Sequence, residues 1–129
     1  MEPAEFEQAV QESFKRLPVR VRKKIQNVAL LIEDEPSTLV RTKEKLRLGE
    51  TLLGLYQGIP LSARGDTYGI GMMVPDTITL YRKPIEEAAC EDGTDVRDII
   101  ADTIWHEFAH HFGMDEHEVR KREQKRRDL

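Results

Sequence analysis

The stretch His106-Glu107-Phe108-Ala109-His110-His111-Phe112-Gly113 constrains this chain more than any other part of it. On a helix, His106 and His110 stand four residues apart, so both imidazoles leave the same face about one turn from each other. Two ring nitrogens so placed reach a single tetrahedral Zn²⁺, each at roughly 2.0–2.1 Å. Glu107 follows His106 directly and lies beside the metal, off the ligand axis, where it can take a proton from a metal-bound water. The chain has four histidines, His106, His110, His111 and His117, and all fall in or just after this window.

The residues leading into the motif carry helix signals. Val96, Ile99, Ile100, Thr103 and Ile104 recur at three- and four-residue spacing. Thr94 is a candidate N-cap, and Asp95 and Asp98 put negative charge in the first turn, where the helix dipole favours it. Gly113, three residues after His110, suits a left-handed cap from which the chain turns back towards the metal.

A third metal ligand is sought past that glycine. In the extended pattern His-Glu-x-x-His-x-x-Gly-x-x-His it sits three residues beyond, which here is Glu116. Two histidines and a glutamate form an ordinary catalytic zinc shell with an open fourth position. Asp115 is the alternative and His117 comes third, since a turn shifted by one residue exchanges them. Asp115 also suits the N-cap of a following helix, Glu116 to about Arg127. His111 points roughly 100° away from His110 and is expected to pack beside the site. Asp102, four residues before His106, is either the group that orients its ring or a solvated carboxylate.

Composition is that of a small charged protein. The chain has 129 residues, 39% hydrophobic and 34% charged, with a net charge of −4. One domain over 1–129 is expected, able to bury roughly two-thirds of its unfolded surface. No apolar run approaches the roughly 20 residues that cross a membrane. The acidic start, Met1-Glu2-Pro3-Ala4-Glu5, lacks the layout of a secretory signal. The lone Cys90 forms no internal disulfide and leaves no cysteine cluster for zinc. These features lead to a cytoplasmic expectation, and the net negative charge argues against a nucleic-acid partner. Two basic runs, Lys15 to Lys24 and Arg120 to Arg127 in a C-terminal helix or tail of about 116–129, read as solvated faces or docking sites for acidic groups.

The pattern along the chain is mixed. Phe6, Ala9, Val10, Phe14 and Leu17 predict an amphipathic helix over 3–16, ended by Pro18, with a short second helix over about 19–26. Val28-Ala29-Leu30-Leu31-Ile32 predicts a buried strand. Residues 36–50 hold a short helix or a loop. Leu52 to Pro60 reads as a strand-like stretch and a turn, and Gly65 to Gly71 as mobile. Thr77 to Tyr81 alternates as a half-exposed strand, expected at a sheet edge near the cleft. Pro84 ends it, and 85–93 connects to the motif helix.

Taken together, the motif at 106–113, the stretch Gly54-Leu55-Tyr56-Gln57-Gly58-Ile59-Pro60-Leu61 and the stretch Pro75-Asp76-Thr77-Ile78-Thr79-Leu80-Tyr81-Arg82 resemble the small bacterial zincin-like metallopeptidases, or minimal zincins. The resemblance spans about residues 25–118. It implies a compact α+β fold, with a small twisted mixed sheet packed on the motif helix and an N-terminal helix. It also implies a zinc-dependent peptidase acting on peptides or proteins. The site then consists of Glu107 as general base and one Zn²⁺ per chain on His106, His110 and Glu116, with Asp115 as the alternative ligand. Tyr56, Tyr68, Tyr81 and His117 are candidate donors to the tetrahedral oxyanion. Two other readings stand beside it: a non-catalytic zinc-binding protein, structural or sensory, and an interaction module with a vestigial site. A base retained at Glu107 argues against the first, since a purely structural site has no use for one.

Overall fold

The computed structural model describes residues 1–25, 28–58 and 76–111, apart from the His111 side chain. In chain order these form α1 (Pro3–Arg16), α2 (Val19–Lys24), β1 (Val28–Glu33), α3 (Thr38–Lys43), β2 (Gly54–Gln57), β3 (Asp76–Tyr81), α4 (Arg82–Asp92) and α5 (Val96–His111). Pro3 opens α1, where its missing N–H costs nothing, and Lys15 and Arg16 close it against the dipole. Phe6, Ala9 and Val10 give α1 its buried stripe, as their spacing predicts. Ser37 caps α3 by accepting the Val40 N–H at 3.2 Å.

The sheet has the order β1-β3-β2, with β1 parallel and β2 antiparallel to β3. It packs with the helices around one core. Ile78 and Leu80 of β3 share one buried cluster with Phe6 and Val10 of α1, Ile85 of α4, and Ile100, Ile104, Trp105 and Phe108 of α5. Burying each of the larger apolar side chains is worth about 1.5–3 kcal/mol. The mixed α+β fold expected from the resemblance is the fold observed.

Four local expectations are corrected. The 77–81 strand is neither half-exposed nor an edge: β3 is central, and Ile78, Thr79, Leu80 and Tyr81 are all buried. Its alternation separates two covered faces, with threonine hydroxyls supplying the polar positions. The apolar run of β1 is an edge instead, with Leu31 45% and Ile32 37% exposed. Residues 85–93 belong mostly to a helix, α4, which Pro84 enters in the first turn, where no intrahelical N–H is lost.

Thr94 is not the cap of α5. Its N–H donates to the Ala89 carbonyl and, with Gly93 in the left-handed region (φ 64°), closes the end of α4. Asp95 takes the capping role, its carboxylate accepting the Arg97 N–H at 2.9 Å. Helix α5 is buried around most of its girth, through Ile100, Ala101, Thr103, Ile104, Trp105, Phe108 and Ala109. It touches α1, α4, β2 and β3. The motif therefore sits on the central helix of the molecule.

Candidate active site

One stripe of α5 runs Ile99, Asp102, Thr103, His106, Glu107, His110, at three- and four-residue steps. It forms one wall of a cleft of about 390 Å³; Thr51, Leu52, Leu53 and Gly54 form the other. Its lining is mostly apolar, with His106, Glu107 and His110 among its polar groups. A second hollow of about 590 Å³ shares Ile99 and Asp102 and runs on to Asp92 and Asp98.

The His106 and His110 rings stack with their planes 27° apart and their centroids 6.1 Å apart. The Nδ1 of His106 lies 3.1 Å from the Asp102 carbonyl oxygen. A carbonyl has no proton to give, so this bond places the hydrogen on Nδ1 and makes Nε2 the acceptor nitrogen of the ring. Asp102 meets the His106 ring through its backbone oxygen, a contact that does not depend on its carboxylate.

Glu107 is fixed from the sheet side. Tyr81 N–H donates to the Leu53 carbonyl at 2.9 Å. The antiparallel alternation then turns the Tyr56 N–H away from β3, towards the outer edge of β2. There it donates to Glu107 Oε1 at 3.0 Å. Burial raises the Glu107 carboxyl above its ordinary range. The Tyr56 N–H and the two histidines pull it back down, and the negative charge of Glu44 adds to the rise. A half-buried base raised in this way lies closer to neutral pH, where a general base works best.

Of the candidate oxyanion donors, Tyr56 gives its hydroxyl to Asp76 Oδ2 at 2.8 Å. Tyr81 is buried, and that burial, with the carboxylates of Glu33, Glu44 and Glu107, raises its pKa. Tyr68, His117, Asp115 and Glu116 lie outside the described residues, as do the glycine-rich 65–71 stretch, the C-terminal basic run and the side chain of His111. Among the described residues no three acidic, histidine or cysteine side chains converge as a metal cluster. The structure brings His106, Glu107 and His110 together on one face of α5.

Those two histidines suit zinc in donor type and spacing, with the His106 tautomer set for it. Sequence reading misses the Tyr56 N–H as a partner of Glu107 and misses Gly54 as its neighbour. A glycine inside a strand pattern is the signal that a second chain segment approaches closely there.

A family model described as zincin-like metallopeptidase matches residues 25–126. Among solved structures, the chain is similar to a conserved hypothetical protein from Thermo thermophilus, at a TM-score of 0.54 and 23% identity. That match covers 86% of this chain and 94% of the other, and it supports the fold. A comparison with curated proteins finds no match.

Proposed function

Because this chain belongs to the zincin-like metallopeptidase family, we propose that it is a zinc-dependent peptidase with Glu107 as general base. The observation that supports this most is the Tyr56 N–H bond to Glu107, which aims a half-buried carboxylate beside two histidines on one helix face. His106 and His110 would hold the metal, with Glu116 the favoured third ligand and Asp115 the alternative. A bound Zn²⁺ supplies Lewis acidity, polarising a carbonyl and lowering the pKa of a water from 15.7 towards about 7.

The protein's own groups do the rest. Glu107 takes the proton from the attacking water and later delivers it to the leaving amine. His106 keeps its orientation because Nδ1 is committed to the Asp102 carbonyl. Leu52, Leu53 and Ile99 exclude water along the cleft and favour a peptide with an apolar side chain next to the cut bond. Among the described residues no helix is long and apolar enough to cross a membrane.

The test is metal content by elemental mass spectrometry, paired with hydrolysis of a peptide library. One zinc per chain is expected in the wild type and in Glu107→Gln, and none in His110→Ala. Glu107→Gln should lose about 10²–10⁴-fold in turnover, the usual contribution of a positioned base. Turnover that survives Glu107→Gln would remove the base from the mechanism.

A further inference from the structure

We infer that Gly54 is a positioning residue for Glu107, keeping β2 close enough to α5 for the Tyr56 N–H to hold the carboxylate. The inference rests on the reading of Glu107 as the base, but its geometric part can be tested without turnover.

The backbone does not require a glycine here. The described glycines with positive φ are Gly49 and Gly93, and Gly54 is in ordinary strand conformation. Space is the reason. A Cβ on Gly54 would lie 2.7 Å from the Thr103 Cγ2 methyl, 3.2 Å from the Thr79 carbonyl oxygen and 3.6 Å from Glu107 Cγ. The first distance is a clash and the second is tight.

Neither neighbour yields easily. Thr103 is buried, and its hydroxyl is tied to the Ile99 carbonyl at 2.7 Å, which turns the methyl towards Gly54. The Thr79 oxygen is backbone in the central strand. A side chain at position 54 must therefore move β2 and α5 apart. Tyr56 lies two residues along the same strand, and Thr103 precedes Glu107 by one helical turn, so the separation falls on their hydrogen bond. A misplacement on the order of 1 Å between catalytic groups costs about 10²-fold in rate.

The experiment compares Gly54→Ala with the double variant Gly54→Ala/Thr103→Ser, which deletes the clashing methyl and keeps the hydroxyl. The readouts are amide hydrogen exchange, zinc content and peptide turnover. In Gly54→Ala the Tyr56 amide should exchange about ten-fold faster, while Leu55 and Gln57, whose amides face β3, stay protected. Turnover should fall about 10²-fold with one zinc still bound. The double variant should regain both the Tyr56 protection and most of the turnover.

Wild-type exchange at Tyr56 in Gly54→Ala would overturn the inference, as would a folded double variant that recovers nothing. Should Gly54→Ala fail to fold, the double variant must fold and protect Tyr56; failure of both removes Thr103 as the obstacle and overturns the inference. If the wild type cleaves no peptide, the exchange data still decide the geometry, and the loss falls on the peptidase reading alone.

Discussion

The two edges of the sheet are built for opposite ends. β1 carries the most apolar run in the chain, yet Leu31 and Ile32 are partly exposed and the strand's main partner is β3. β2 is shorter, running only from Gly54 to Gln57, and its outer amide at Tyr56 is taken up by Glu107 from α5. The contrast shows that hydrophobicity did not decide which edge meets the motif helix. What decides it is which edge the central helix can approach, and that depends on a missing side chain at position 54.

Truncations on the core strand and on the open edge sharpen the contrast most. Ile78 is fully buried between the helices, so Ile78→Ala should cost about 2–5 kcal/mol in urea unfolding. Leu31→Ala, on β1, should stay below about 1 kcal/mol despite removing the same kind of group, since surface positions seldom exceed about 0.5 kcal/mol. Equal losses would mean that β1 is covered in solution and that its edge is as buried as the central strand.

A smaller effect is expected on the β2 side. Tyr56→Phe removes the hydroxyl that binds Asp76 at 2.8 Å and should cost about 0.5–1.5 kcal/mol by the same unfolding assay. Because the Tyr56 N–H is backbone, zinc content and the Glu107 contact should survive. A larger fall in turnover than in stability would instead give the Tyr56 hydroxyl a role in catalysis, as an oxyanion donor.

How much of this is legible in the sequence follows from where the information resides. The motif helix, α1 and the helix after Pro18 are readable because their patterns are local: apolar spacing, proline and charge at the ends. The positions of β1 and β3 are also readable, but their exposures are not. A continuous apolar run and an alternating one describe a strand's own faces, and β1 and β3 exchange the exposures expected because strand order is fixed by long-range pairing. Helix α4 escapes a sequence reading because Pro84 looks like a stop when it sits in a first turn. At the site, His106, Glu107 and His110 are visible as spacing on one helix. The Tyr56 N–H is invisible because backbone groups carry no sequence signature. Gly54 leaves a trace, a glycine within a strand, with no indication of which side chain it admits.

The smallest predicted effect concerns the anchor of α5, on which the β2 edge depends and β1 does not. Asp95 binds the Arg97 guanidinium through Nη2 at 2.6 Å, and Arg97 reaches Glu12 of α1 at 2.8 Å. Hydrogen bonds from the Arg97 side chain, then from its backbone N–H, lower the Asp95 carboxyl from 3.8 to about 2. A carboxyl with a depressed folded-state pKa adds stability that is fully present above its unfolded value and lost as pH falls through the folded one. The relevant window is therefore pH 3.8 down to about 2. Asn caps a helix about as well as Asp, so Asp95→Asn isolates the charge from the cap. At pH 7 the variant should be less stable by under about 1 kcal/mol, as for other exposed ion pairs. The gap should narrow as pH falls towards 2, where wild-type Asp95 is itself about half protonated. Amide exchange should rise at the N-terminal turn of α5 and stay unchanged in β1. A gap that persists at the acid end of that window would assign the anchor to the geometry of the cap and remove the charge from the explanation.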